Sequence, residues 1–177
     1  EANALTTCAP FTITITGTGT ITLGTALPAL AHPNLTINGP GANLLTISGN
    51  NANRVFNITS GDVTLDGLNI ANGKLTGSTG QGGGLRISST GSVTLRNCAL
   101  TNNTLAANTA QGGGIYMAGV TGTLNIINSI LSGNAATASG GTSAIATGGG
   151  IYFSSGTINA INTTFVGNTC AGSGATG

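Results

Sequence analysis

Apolar and polar residues alternate in short runs along the whole chain: FTITIT, LTIN, LTIS, VTLD, VTLR, TLNII and TINAI. Each run puts Ile, Leu, Val or Phe on one side of an extended strand and Thr, Asn or Ser on the other, and none carries the 3.6-residue period of a helix. The pattern predicts many short strands separated by turns of Gly, Asn and Ser, strands too short to make a sandwich easily.

The runs repeat in register. Glycine triplets stand at Gly82 to Gly84, Gly112 to Gly114 and Gly148 to Gly150, each followed by an aliphatic residue (Leu85, Ile115, Ile151), at spacings of 30 and 36. After each triplet comes a short strand (LRIS, IYMA, IYFS), a turn at Gly91, Gly122 or Gly156, and a second alternating segment. Those segments align Asn97 with Asn128 and Asn162, and Asn103 with Asn134 and Asn168. An earlier copy, VTLDGLNIANG, has Gly67 and Gly73 in the Asn positions. Units at residues 11–33, 34–53, 54–81, 82–111, 112–147 and 148–177 follow.

A hairpin meander would not place GGG and Asn at matching offsets in successive units, whereas stacking coils would. The predicted fold is therefore all-β: a right-handed single-stranded parallel β-helix of about six coils, roughly 29 Å long at about 4.8 Å per coil. We expect one domain over residues 1–177, with an extension at 1–10, coils at 11–170 and a flexible segment at 171–177. Predicted core columns are Val63, Val93 and Leu124; Leu65, Leu95 and Ile126; and Ile70, Leu100, Leu131 and Phe165. The stretches TLAANTAQ and AATASGGTSAIAT vary in length and are expected to be loops on one edge. The glycine triplets are expected to permit a tight corner with positive φ, and Gly84, Gly114 and Gly150 to line up. The six Asn residues are expected to form ladders, tolerating the left-handed region while their amides bond up and down the stack.

Composition narrows the function. Charged residues make up only 4% of the 177, with net charge +1, so Thr, Ser, Asn and Gly must cover the surface. Four scattered cations and six aromatic residues exclude a nucleic-acid groove, and no apolar run is long enough for a membrane helix. Glu1 in place of Met points to a processed chain or a segment of a longer one, with any export signal or anchor outside it.

Glycine triplets with an aliphatic residue (GGGL, GGGI, GGGI), joined to LTNN, LSGN and FVGN, resemble the GGA[I/L/V] and FxxN repeats of the chlamydial polymorphic outer-membrane proteins. The stretch LTINGPGANLLTISGNNANRVFNITSGDVTLDGLNIANG resembles bacterial secreted β-helix proteins that begin with a CSLREA-type segment. The resemblance covers residues 11–170 and implies surface display and adhesion, with no catalytic residues to carry over. The chain itself contains neither a leading CSLREA segment nor a following membrane β-barrel.

Enzymatic chemistry finds little purchase. Asp62 and Asp66 are the one close carboxylate pair, yet four residues apart on a strand they sit roughly 13 Å apart, too far for either glycosidase geometry. Three acidic residues cannot build a calcium cage, and His32 has no second ligand at metal spacing and reads as a loop residue. No catalytic residue, cofactor or metal is expected. Cys98, aligned with Ser129 and Thr163, is expected to be a buried thiol. Cys8 and Cys170 lie about five coils, or roughly 24 Å, apart, which leaves each either unpaired or a candidate for a disulfide to a neighbouring chain, or Cys8 for one to a cysteine upstream of Glu1.

Asn-x-Thr sequons at Asn34, Asn57, Asn102 and Asn162 would permit glycosylation. The run TITITGTGTIT suggests an ice-binding array, which needs Thr in register on successive coils, but Thr64 and Thr94 are followed in the ladder by Asn125 and Asn159. The reading reached is a non-enzymatic extracellular protein whose uncapped ends stack into a homopolymer at the cell surface. The alternative is an adhesin that contacts glycans or neighbouring cell surfaces through the edge loops at 104–111 and 135–147, although those loops hold no aromatic residue to stack on sugar.

Overall fold

A computed structural model describes residues 10–119, 121–139 and 144–172. Cys8, within the N-terminal extension, and most of the segment expected to be flexible at the C-terminus lie outside the described residues.

Among the described residues there are twenty-one strands, β1 to β21 in chain order, and no helix. They form four parallel sheets that the chain visits in turn, making a β-solenoid of about five turns. The first sheet stacks β1 (Phe11–Thr14), β3 (Asn34–Asn38), β6 (Asp62–Asp66), β10 (Ser92–Arg96), β14 (Thr123–Ile127) and β19 (Thr157–Ile161). The second stacks β2 (Gly19–Thr22), β4 (Leu45–Ser48), β7 (Asn69–Ala71), β11 (Ala99–Thr101), β15 (Ile130–Ser132) and β20 (Thr164–Val166). In the third, β12 (Thr104–Gln111) lies between β8 (Lys74–Gln81) on one side and both β16 (Ala135–Ala138) and β17 (Ile145–Thr147) on the other, with β21 (Thr169–Gly172) beyond β16. The fourth stacks β5 (Phe56–Ile58), β9 (Leu85–Ile87), β13 (Ile115–Met117) and β18 (Ile151–Phe153).

The predicted core columns stand in register. Val63, Val93 and Leu124 are direct partners, as are Leu65, Leu95 and Ile126, and Ile70, Leu100, Leu131 and Phe165. All are buried except Phe165, which occupies the last rung. Burial of such side chains is the main stabilising term, at about 1.5–3 kcal/mol for each large aliphatic residue.

Two expectations are corrected. The stretch 104–111 and parts of 135–147 are not edge loops: they are β12, β16 and β17 of the third sheet. Leu105, Ala107, Ala110, Ala136, Ala138, Ala144 and Ala146 point inward there and form a second, smaller core of mostly methyl groups. The positive φ expected of the glycine triplets is found at their first members, and that expected of both Asn rows is found in the first row and not in the second. From β6 onward three of the corners are each turned by one left-handed residue: Gly67, Asn97, Asn128 and Asn162 at the first, Asn72, Asn102, Gly133 and Gly167 at the second, Gly82, Gly112 and Gly148 at the third. Gly84, Gly114 and Gly150, and Asn103, Asn134 and Asn168, are outside that set. Gly and Asn alternate at these corners because both enter the left-handed region at low cost.

Candidate functional site

The second-corner Asn row is a buried hydrogen-bond ladder. Asn103 Nδ2 donates to Asn134 Oδ1 at 2.9 Å, and Asn134 Nδ2 donates to Asn168 Oδ1 at 2.8 Å. Each amide also donates to a carbonyl in the coil before it, Ile70, Leu100 and Leu131 in turn. The backbone N–H of Asn103 donates to Asn134 Oδ1, and that of Asn134 to Asn168 Oδ1. At the bottom of the ladder the Gly73 N–H donates to Asn103 Oδ1 at 2.9 Å. Gly73 has no room for a side chain: a Cβ there would lie 2.7 Å from the Gly83 carbonyl carbon.

The stacked glycines exist for this ladder. A Cβ on Gly84 would sit 2.8 Å from Asn103 Cγ, and one on Gly114 would sit 2.6 Å from the Gly150 oxygen and 3.1 Å from Asn134 Cγ. These three glycines do line up, with Gly84 N–H donating to Gly114 O at 3.1 Å and Gly114 N–H to Gly149 O at 3.0 Å.

The first-corner row is exposed and linked more loosely. Asn162 donates to Asn128 Oδ1 at 3.0 Å, whereas Asn97 donates to Asp66 Oδ1 at 2.9 Å. The row borders an open groove of about 510 Å³ that also touches Cys98 and Ser129. Cys98 is buried at this corner, its thiol donating to the Leu65 and Arg96 carbonyls, and burial pushes its pKa up to about 11. Cys170 is a free, exposed cysteine on β21.

Both aspartates are occupied by the scaffold. Asp66 pairs with Arg96 at 2.6 Å, and Asp62 accepts the Ser92 N–H at 2.7 Å. His32 does lie between strands, but it is buried beside Phe11, its Nδ1 accepting the Asn34 N–H at 3.1 Å. Among the described residues no cluster of three His, Cys, Asp or Glu could hold a metal. Of the sequon asparagines, Asn34, Asn102 and Asn162 are exposed and Asn57 is partly buried. The outward Thr column of the first sheet runs Thr12, Thr36, Thr64, Thr94 before Asn125 and Asn159 replace it.

Two features have a weaker signature in the sequence. At the first, the rungs at each end of the rod show their inner face. Ile13, Ile15, Ile21, Leu23, Leu27 and Phe56 line an apolar cavity of about 210 Å³ at the first coil. Phe165 and Val166 are exposed at the last. The second feature is an outward column on the fourth sheet: Asn57, Arg86, Tyr116, Tyr152. The tyrosine rings stack at 5.4 Å and 14°, and the Arg86 guanidinium lies over Tyr116 at 6.0 Å. Gln81 ties the group together, donating to the Tyr116 hydroxyl and accepting from Arg86 Nε. Nearby, Arg54 donates to the Gln81 and Gly82 carbonyls, and burial together with Arg86 lowers its pKa to about 10.

No protein-family model, curated protein or solved structure matches the chain.

Proposed function

We propose that the chain is a non-enzymatic structural subunit that stacks end to end with copies of itself into an extracellular or cell-surface filament. The observation that carries this reading is one inward column of the second sheet: Ile21, Ile47, Ile70, Leu100, Leu131, Phe165. Its four inner members are buried, whereas the two end members, Ile21 and Phe165, are 43% and 49% exposed. Placing the last coil of one copy beneath the first coil of the next would set Phe165 against Ile21 and close the column. The same step sets β19 against β1, whose inward Phe11 and Ile13 would meet Ile158 and Ala160.

The strand edges that have no partner among the described residues, at β1, β2, β19 and β20, would gain backbone partners in that contact. A head-to-tail contact that does not close on itself extends into a fibre. Net charge of +1 opposes it little. The occupation of Asp62 and Asp66 by structural bonds supports the non-enzymatic reading, and the likeness to bacterial surface repeats supports an extracellular location.

Negative-stain electron microscopy of the purified chain is the test. The expected result is an unbranched filament with an axial repeat of about 29 Å, six rungs of about 4.8 Å. Ile21→Asp and Phe165→Asp should each disperse it into monomers that keep the β-sheet circular dichroism signal. Dispersed particles at every concentration, or filaments untouched by both changes, would overturn the reading.

A further inference from the structure

We infer that the outward face of the fourth sheet is a binding site for an acidic polysaccharide, with Arg86 and the Tyr116–Tyr152 stack as its centre. The argument starts from charge. The chain has four cations and three acidic residues, and the one ion pair among the described residues, Arg96 with Asp66, lies on the first sheet. Asp62, also on the first sheet, is held by the Ser92 N–H. Arg54 and Arg86 therefore lie near each other, with no carboxylate bonded to either among the described residues. Arg54 turns two of its donors to backbone carbonyls, so it supplies charge, while Arg86 is the group placed in the outward column.

Ring chemistry supplies the second half. Both tyrosines of the chain stand in that column, on successive rungs, and stack on each other. Tyr116 has Arg86 over its other face; Tyr152 belongs to the last strand of the sheet among the described residues, and no ring contact occupies its second face. An aromatic face of this kind accepts the C–H side of a sugar, and a guanidinium beside it accepts a carboxylate. Asn57, Gln81 and Ser88 bring amide and hydroxyl groups to the same place, bonded to Arg86 and Tyr116 and holding them in position. One polar or aromatic side chain per rung, repeated up a flat sheet, suits an extended chain lying along the rod better than a compact ligand. The stretches 104–111 and 135–147 offer no ring and no charge of this kind.

Arg86 lies on the side of the rod, whereas the free face of Tyr152 points along the axis towards the end proposed for stacking, so the titration is made on dispersed chain, with Phe165→Asp as the background if the unaltered chain forms filaments. The test uses an optical property of the chain: with two tyrosines and no tryptophan, its intrinsic fluorescence comes from Tyr116 and Tyr152 alone. The full chain is titrated with a short oligogalacturonate at low ionic strength, and in parallel with an uncharged cello-oligosaccharide of the same length. The acidic oligomer should give a saturable change in tyrosine emission that weakens as salt is added. Arg86→Gln and Tyr152→Ala should each weaken binding by about tenfold or more, the latter read by calorimetry. Arg96→Gln, which removes a cation from a different sheet, should leave binding within about twofold. Ring-proton shifts of the unaltered chain give the same answer without any substitution. No saturable response to the acidic oligomer, equal binding of the uncharged one, or equal loss in Arg96→Gln would overturn the inference.

Discussion

Two rows of asparagine climb this molecule at the same period, and they hold different things together. Asn97, Asn128 and Asn162 turn the first corner with φ near 50°, their side chains exposed. Asn103, Asn134 and Asn168 follow the second corner; here the turn is made by the preceding residue, and the side chain goes inward. The first row is chosen for its backbone and the second for its amide. That difference explains the worn third coil: Gly67 serves the first corner unchanged, whereas Gly73 at the second can only end the ladder, offering its N–H to Asn103. A buried amide with every donor and acceptor used specifies one register, because a slip would leave several groups unpaired at once.

The comparison breaks most visibly at Asn134. Asn134→Leu keeps the branched shape but strands the Leu100 carbonyl, the Asn103 N–H and amide, and Asn168 Oδ1, so urea unfolding should show a loss of about 3 kcal/mol or more. Gly114→Ala should follow at about 1–3 kcal/mol, since the new methyl meets the Gly150 oxygen and Asn134 together. The double variant should cost less than the sum by at least about 0.5 kcal/mol, which a double-mutant cycle measures. In the exposed row, Asn128→Ala should cost only about 1–2 kcal/mol and Asn128→Gly much less, because φ is the main thing at stake and the one side-chain bond lost, from Asn162, is exposed to water.

The smallest effect concerns Cys98 beneath that row. Its folded pKa of about 11 lies above its ordinary 9.0, so its burial stabilises fully below pH 9 and less as pH rises towards 11. Native-state thiol labelling at pH 8 should modify Cys170 and spare Cys98; equal labelling of both would show that the first corner opens readily.

Strand alternation and the matched GGG and Asn offsets made the parallel solenoid and its columns legible, because stacking demands those repeats. The third sheet was not legible. Its strands are written in Ala, Thr, Asn and Gly, residues of weak strand preference apart from Thr, and the inward positions step from Ala107 to Ala110 with exposed Asn108 between them, which breaks the period of two. Ala107 also stacks on Gly77, at φ 131°, so the rung below offers no side chain to reveal the pattern. The Tyr–Arg column was hidden for another reason. The alignment of LRIS, IYMA and IYFS puts Arg86, Tyr116 and Tyr152 at one offset, but they differ in chemistry and sit 30 or more residues apart, and only the structure shows them in contact.

The hydrogen bonds that secure the ladder join residues 30, 31 and 34 apart, one coil to the next and no further. Under tension along the chain, such a molecule has no single lock to fail. It should unpeel from whichever terminus is pulled, releasing one turn per event, so a force–extension trace would show evenly spaced small steps in place of one large rupture.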